Sequence, residues 1–480
     1  MTEPKNDRTA QALLAASSLA PGSLAQGGLQ ERRDVLVEIT RDALVAEDLP
    51  TLRLVLNNQH PVDLADLLSR LDEDDRPLCL GLLAESLAAG VLVEFDAPTA
   101  MSVVAELDDE AFFGIVDEMA PDDAADVLAD LPEEHSERLL SLMEVGEADS
   151  VRELMEHAED SGGGIMSSRL VSVPQEFTVA ATIDQLRERA HEHSEEPLAV
   201  FVVDSTGRLV GTTSLHRMLL AGRDERMGDI ANREPITVRA DLDQEEIAEI
   251  FADFDLLVLP VIDVHGMLVG QVTVDDIIDV IHEEATEDNL KMAATSSHEL
   301  ENRSVRGILR RRLPWLMLCL LGTLLSGGVL DLFSGVLASL SSLVLFVPAI
   351  MAMGGNSGIQ TSTVTVRSLA TGVLHPDEVR RTLWRELRVA ATTGLLLGSI
   401  EFVVAYVWTG GSLVAPCAGI AMCTAIVLSA VLGATIPIVF RALGIDPAVA
   451  SGPLITTLND ILSLCIYFGV ATALLFLLAD

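Results

Sequence analysis

Asp460 stands in the last apolar run of the chain, within Asp446-Pro-Ala-Val-Ala-Ser-Gly-Pro-Leu-Ile-Thr-Thr-Leu-Asn-Asp460 and ahead of nineteen almost uniformly apolar residues ending at Ala479. An ionisable group inside a membrane span costs roughly 2.5 to 3.5 kcal/mol on insertion scales and usually marks an ion path. The chemistry expected of Asp460 is therefore the holding of a cation. Thr456, Thr457 and Asn459 would add neutral oxygens beside it, and Gly452-Pro453 predicts a local break in the helix. Glu401, in Gly398-Ser399-Ile400-Glu401-Phe402, is a competing carboxylate with only Ser399 near it; it either pairs with an arginine or faces an aqueous crevice.

A second polar stretch lies in another apolar run: Pro348-Ala-Ile-Met-Ala-Met353-Gly354-Gly355-Asn356-Ser357-Gly358-Ile-Gln360-Thr361. It is too rich in Gly and amides for a lipid-facing helix. The backbone there either loosens against a wet cavity, where freed carbonyls find partners, or packs closely on a neighbouring helix. Gly354, Gly355, Asn356 and Gln360 join Thr456, Thr457 and Asn459 as candidates to line a pore.

These residues need helices that cross a bilayer. Five apolar stretches follow Arg312: Leu313 to about Leu332, Val336 to about Val366, Leu387 to about Trp408, Leu413 to about Phe440, and Ala448 to Leu478. Each is long enough, since about 20 residues at 1.5 Å rise cross a core of roughly 30 Å. Arginines choose one side consistently. Arg303, Arg306, Arg310, Arg311 and Arg312 precede the first run; Arg367, Arg380, Arg381, Arg385 and Arg388 surround the second-to-third connection, and Arg441 lies in the fourth-to-fifth. Positively charged loops stay in the cytoplasm, so the expectation is a multi-pass protein of the plasma membrane with its N-terminal part cytoplasmic and its C-terminus outside.

The 480 residues carry a net charge of -42, and it is unevenly spread. Residues 313 to 480 hold six Arg, no Lys and eight acids, which leaves a net -40 for residues 1 to 312. Such a surface repels nucleic acid and anionic lipid and attracts cations. The five cysteines have no Cys-x-x-Cys pair and read as core residues. Residues 1 to 30 lack a basic segment followed by an apolar core, so they read as a disordered tail and not a secretory signal. No Cys/His, Ser/His/Asp or phosphate-loop constellation appears, and an enzyme is the least expected class.

Residues 31 to 158 read as amphipathic helices in an imperfect repeat with a Pro-led start and an acidic turn; His60-Pro61-Val62-Asp63-Leu64 compares with Ala120-Pro121-Asp122-Asp123-Ala124. Such repeats stack into a superhelix, with His60 a helix-start residue. Residues 159 to 283 contain a clearer duplication: Phe201-Val-Val-Asp204-Ser-Thr-Gly207-Arg-Leu209-Val-Gly211 matches Pro260-Val-Ile-Asp263-Val-His-Gly266-Met-Leu268-Val-Gly270 at an offset of 59. Each copy predicts a β-hairpin followed by a helix, opened by strands near Val171 to Val173 and Ile236 to Val238. This resembles a tandem pair of cystathionine-β-synthase (CBS) modules, whose sheets can hold adenine nucleotides. The ribose signature of such modules survives at Thr273-Val-Asp-Asp276, whereas Ser214-Leu-His-Arg217 departs from it, so at most one ATP site looks intact.

Beyond it, Asp276 and Asp279, then Glu284, Glu287 and Asp288, recur at i, i+3 and i+4 spacing and share a helix face. Either this is a solvated acidic face, or a divalent cation relieves the repulsion and ties ion concentration to the helix leading to the spans. Magnesium suits water-retaining sites of one or two carboxylates.

The order of helical superhelix, tandem α+β CBS pair, connecting helix (284 to 312) and all-α membrane domain of five helices (313 to 480) is similar to the MgtE-type family of magnesium channels. The local matches are Met353-Gly-Gly-Asn356-x-Gly358-x-Gln360 with Val366-Arg367-x-Leu369-Ala370, Asp446-Pro-Ala-x-x-Ser451-Gly452-Pro453 through Asp460, Gly163-Gly-Ile-Met166 and Ala285-Thr-Glu-Asp288. The resemblance implies a homodimer with one pore between protomers, Asp460 on the conducted Mg2+, and regulatory magnesium at Glu245, Asp255, Asp276, Asp279, Glu284, Glu287 and Asp288. High internal magnesium would hold the domains together and the pore shut. The alternatives are a carrier of Co2+ or Mn2+, and a membrane-anchored regulator in which the spans only anchor a CBS sensor.

Overall fold

The computed structural model describes residues 26–189, 197–293, 295–296, 304–370, 379–411, 413–450 and 452–479. The expected tail therefore lies almost wholly outside the described residues, as do Arg303 and Ser451. The chain divides into two compact units, one ending at Ile281 and the other beginning at His282.

The first unit opens with helices α1 (Gln26–Val45), α2 (Leu49–Leu56), α3 (Pro61–Ser69), α4 (Arg76–Leu80), α5 (Glu85–Val93), α6 (Ala97–Val104), α7 (Asp109–Asp117), α8 (Pro121–Ala129), α9 (Glu133–Leu140) and α10 (Val145–Met155). The Pro-led starts fall where the sequence puts them: His60 and Ala120 take extended backbone just before α3 and α8, and the prolines occupy the first turn. Asp48, Asp96 and Asp108 cap α2, α6 and α7 by accepting the N–H of Thr51, Thr99 and Ala111; each such cap contributes about 1 kcal/mol. The leucines of these helices share one core with Ile247, Phe251 and Val261 further along the unit.

Two three-stranded sheets follow. β1 (Ser172–Pro174) runs parallel to β2 (Ala199–Val203), which pairs antiparallel with β3 (Leu209–Ser214). β4 (Val238–Arg239), β5 (Val258–Ile262) and β6 (Leu268–Thr273) repeat that arrangement. The intervening helices are α11 (Val179–Arg189), α12 (Leu215–Leu220), α13 (Met227–Ile230) and α14 (Gln244–Phe254). Both hairpins turn on an Asp whose carboxylate accepts two backbone N–H groups: Asp204 from Thr206 and Arg208, and Asp263 from His265 and Met267. Gly207 and Gly266 close these turns at φ of 87° and 80°, a region that costs a residue with a Cβ roughly 1 kcal/mol or more. The two turns also meet: Leu209 N–H donates to Gly266 O and Leu268 N–H to Gly207 O, both at 3.3 Å.

Helix α15 (Val274–Met292) leaves β6, crosses the boundary between the units and ends before the first apolar helix begins. Within the connecting segment 284 to 312, expected as one helix, the described residues include the end of α15, the non-helical Ala293, Thr295 and Ser296, and the arginine-bearing start of α16 (Val305–Leu332); residues 294 and 297–303 lie outside the described residues. After it come α17 (Ser334–Ser339), a 3-10 turn (Ser341–Phe346), α18 (Val347–Ala370), α19 (Val379–Thr409), α20 (Val414–Ala442), a second 3-10 turn (Pro447–Ala450) and α21 (Gly452–Ala479). Among the described residues five helices are long and apolar enough to cross a membrane: Val305–Leu332, Ser341–Ala370, Val379–Thr409, Val414–Ala442 and Gly452–Leu477.

Of the two readings of the Gly354 to Gly358 stretch, close packing is the one the structure adopts, since α18 runs unbroken through it. Gly452-Pro453 likewise starts α21 and interrupts no helix, because proline's fixed φ suits a first turn. Glycines set the close crossings. A Cβ on Gly398 would lie 2.6 Å from the carbonyl of Gly419, and one on Gly419 would lie 2.8 Å from that of Gly398, so α19 and α20 touch backbone to backbone. Gly394 meets the Cys423 carbonyl and Gly433 meets that of Gly358 in the same manner. Arg441 donates to the Leu369 carbonyl at 2.7 Å, which satisfies an open acceptor at the end of α18.

Candidate cation site

Asp460 lies eight residues into α21, half-buried. Its neighbours fix which way that part of the helix faces. Asn459 is 3% exposed; its Nδ2 donates to the Met351 carbonyl of α18 at 3.3 Å and its Oδ1 accepts from Ser463 at 3.4 Å. Gly354 must be small here, since a Cβ would sit 2.9 Å from both amide atoms of Asn459. Thr457 presses on Gly322 of α16, and Thr456 returns its hydroxyl hydrogen to the Pro453 carbonyl at 3.1 Å. With about 100° of turn per residue, Asp460 falls between the side of α21 that meets α18 and the side that meets α16.

The structure separates the expected pore-lining residues. Gly354 and Asn459 meet in the α18–α21 contact, and Gly355 is 3.7 Å from the Asn459 amide by the same test. Asn356 and Gln360 lie on another face of α18 and line a cavity of about 370 Å³ with Glu386 and Thr393 of α19 and Ile426 of α20. Glu386 is 16% exposed at its side chain and accepts from the neighbouring Arg385 at 3.2 Å. Glu401 pairs with no arginine among the described residues, and its Oε1 is buried without a hydrogen-bond partner among them.

At the end of α15, Lys291 Nζ sits 2.8 Å from Glu287 Oε1 and 2.7 Å from Asp446 Oδ2, between the acidic helix and the connection into α21. Burial alone would lower the Lys291 pKa, but the hydrogen bonds and charges of Asp446 and Glu287 outweigh it and raise it. Asp288 is pushed up, first by burial and then by the charge of Asp446, with Lys291 and Arg367 opposing. Glu284 is half-buried on the same stretch of helix. Gly452, the first residue of α21, lies against the Met292 carbonyl with no room for a Cβ.

In the first unit, Thr273 Oγ1 donates to Asp276 Oδ2 at 2.6 Å, and the Thr273 N–H reaches the same oxygen at 3.3 Å, so this pair also caps α15. Ser214, its counterpart, instead accepts the Arg217 N–H at 3.2 Å. The Asp276 pKa is pushed up to about 6, chiefly by burial and secondly by the negative charges of Asp122 and Asp275. Asp122 begins α8 and accepts from Ser167 at 3.0 Å, which places an N-terminal carboxylate beside Asp276. Glu245 is exposed in the first turn of α14, Asp255 ends that helix in left-handed backbone at φ 51°, and Asp279 is exposed on α15. Among the described residues no three His, Cys, Asp or Glu form a group that could hold a metal ion.

Three residues that the structure brings beside the predicted ones were not singled out in the sequence. Lys291 could have been noticed as one of only two lysines in the chain, and Glu386 as one of eight acids after residue 312. Asp122 carries no such signal among the many acids of its helix.

An acidic helical and CBS-bearing unit followed by five apolar helices, with a carboxylate half-buried within the last, defines the class as a multi-pass membrane protein. Family models agree along the chain: MgtE intracellular N domain over residues 59–160, CBS domain over 162–224 and 227–283, and MgtE, a divalent cation transporter, over 347–470. The chain is 35% identical over 440 residues to "Magnesium transporter MgtE" of Thermus thermophilus, covering 91% of this chain and 97% of that one. It is 33% identical over 438 residues to the protein of the same name in Bacillus subtilis, covering 91% and 96%. A solved cytosolic domain of the Mg2+ channel MgtE in complex with ATP is 36% identical, covers 51% of this chain and 99% of that one, and superposes with a TM-score of 0.49. The chain belongs to the MgtE family of divalent cation transporters.

Proposed function

We propose that this chain is a magnesium channel of the plasma membrane, working as a homodimer, with Asp460 of each protomer on the conducted ion. The observation that carries the reading is the position of Asp460: a lone carboxylate half-buried on α21, between the sides that meet α16 and α18, in a chain whose relatives along nine-tenths of its length are named magnesium transporters. Water would stay between the carboxylate and the ion, because magnesium dehydrates reluctantly. A fixed negative charge then attracts a divalent cation about twice as strongly as a monovalent one. Asn459, clamped on the Met351 carbonyl, is assigned to positioning Asp460. Arginine placement supports an N-terminal part in the cytoplasm and a C-terminus outside.

Gating is read from charge. Glu245, Asp255, Asp276 and Asp279 in the first unit, and Glu284, Glu287 and Asp288 at the start of the second, are the proposed regulatory magnesium ligands, with Asp122 added as the neighbour of Asp276. Bound magnesium would supply the positive charge that lets these carboxylates approach. Without it, like charges 4 Å apart repel by about 4 kcal/mol at an effective dielectric of 20, less where salt reaches them. The end of α15 meets Gly452 at its Met292 carbonyl, and that contact is the route by which the acidic helix would act on α21. ATP at Thr273 and Asp276 is a secondary proposal, supported by the paired hydroxyl and carboxylate there.

The test is magnesium uptake into proteoliposomes. Wild-type uptake should be suppressed by millimolar magnesium on the cytoplasmic face and lost in Asp460→Ala. Unchanged uptake in Asp460→Ala would remove that residue from the path, and uptake of Co2+ or Mn2+ in preference to Mg2+ would reassign the cargo within the divalent class.

A further inference from the structure

We propose that the cavity between α18, α19 and α20 is a second cation site of the membrane unit, in which Glu386 supplies the charge and the side-chain oxygens of Asn356 and Gln360 orient a hydrated divalent cation. This site is separate from Asp460: Asn356 and Gln360 are turned more than about 100° around α18 from Gly354, the residue that packs on Asn459.

Three observations carry the assignment. The cavity holds about 370 Å³, whereas six waters of about 30 Å³ each need roughly 180 Å³; a cation with its inner hydration shell fits without stripping. The lining of a cavity within apolar helices should be apolar unless something polar occupies it, yet this one presents Asn356, Gln360, Thr361, Thr393 and a carboxylate. Glu386 is the charged residue of that lining and is only 16% exposed. An ionised carboxylate so enclosed needs a positive partner. Arg385 is an incomplete one, because it is the next residue along the chain, is itself 62% exposed, and reaches only one of the two carboxylate oxygens, from Nη2 at 3.2 Å and Nε at 3.3 Å. The sign of the charge selects a cation over an anion.

Access is also present. Glu386 lines a second cavity of about 210 Å³ with Arg380, Trp384 and Thr435, on the side of α19 nearer its start. A carboxylate shared by two adjoining cavities is placed to receive an ion from the end of the helix bundle that carries the arginines. That the cation is divalent rests on the transport reading above; the existence of the site does not.

Trp384 supplies a local reporter, since the chain has three tryptophans. In full-length protein in lipid nanodiscs, Trp315→Phe and Trp408→Phe leave Trp384 as the sole emitter, and Mn2+, a paramagnetic quencher, is titrated with Mg2+ as competitor. Quenching should saturate and be reversed by Mg2+. Glu386→Gln should raise the Mn2+ midpoint at least tenfold, Glu386→Asp should stay within threefold of the background, and Asp460→Asn should leave the midpoint unchanged. Gln360→Leu, which keeps every charge, should raise it about threefold. An unchanged midpoint in Glu386→Gln, or quenching abolished by Asp460→Asn, overturns the proposal. Should Asp460→Ala leave uptake intact while Glu386→Gln still shifts the midpoint, the pore assignment fails and the second site stands.

Discussion

Two adjacent glycines of α18 should respond in opposite ways to the same substitution. At Gly354 a methyl group would lie 2.9 Å from both Asn459 amide atoms and 3.0 Å from Ser463 Oγ, whereas at Gly355 its nearest neighbour is 3.7 Å away. Asn459 cannot swing aside cheaply, because it is 3% exposed and held on the Met351 carbonyl. Overpacking of this kind costs about 1 to 3 kcal/mol, and losing the Asn459 hydrogen bond adds about 1 kcal/mol. Replacing a helical glycine returns up to about 1 kcal/mol in backbone entropy. The net expectation for Gly354→Ala is about 1 to 3 kcal/mol of destabilisation, with Gly355→Ala neutral or slightly stabilising. In a unit of this size that separates the two melting points by on the order of 3 to 10 °C, readable by tryptophan fluorescence in nanodiscs. Uptake should fall in Gly354→Ala as well, since Asn459 adjoins Asp460. Adding Asn459→Ala to Gly354→Ala should cost less than the two single effects combined, as contacting residues do not behave additively. Equal melting points for the two glycine variants, or additive behaviour in the double variant, would refute the argument.

Lys291→Met should loosen the tie between Glu287 and Asp446, both within 2.8 Å of the ammonium. At about 1 kcal/mol for partly exposed pairs, the cytoplasmic magnesium needed to halve uptake rises about fivefold; a lower requirement would mean that magnesium takes the lysine's place. In chelator, the first unit should become more stable on acidification from pH 7 to pH 5. Asp276 has its pKa raised from 3.8 to about 6, so its contribution, in total about 3 kcal/mol at 1.36 kcal/mol per pKa unit, is fully present below pH 3.8 and is lost as pH rises through 6; the step from pH 7 to pH 5 recovers about 1.4 kcal/mol of it. Hydrogen exchange of α8 in the full chain follows this, and Asp276→Asn should flatten the dependence; an equally steep profile in that variant would dismiss Asp276 as its source.

Much of the architecture is legible in the sequence because strong local signals agree with the fold. The Asp204/Gly207 and Asp263/Gly266 turns dictate their hairpins, since few residues other than glycine accept those φ values. The Pro-led helix starts and the five apolar helices follow from composition and length. The faces of the membrane helices are another matter. In a helix apolar nearly all round, hydropathy does not tell the lipid side from the packed side, so Gly354, Asn356 and Gln360 look alike until their neighbours are known. The Lys291–Asp446 pair joins residues 155 positions apart, and no periodicity encodes such a meeting. The glycine-rich stretch could be read as loosened backbone or as close packing, and only the Gly358 to Gly433 and Gly354 to Asn459 contacts decide between them.

The backbone-to-backbone crossings of α18, α19 and α20 have a mechanical consequence. Contacts on main-chain carbonyls cannot yield by changing a rotamer, so these three helices form a stiff plate, and compliance is left to α21, which is held on either side by the side chains of Asn459 and Thr457. Helix α21 is then a lever with its fulcrum at Gly452. Eight residues of helix place Asp460 about 12 Å along the arm, so a tilt of about 10° carries the carboxylate about 2 Å, roughly two-thirds of the width of a water molecule of about 1.4 Å radius.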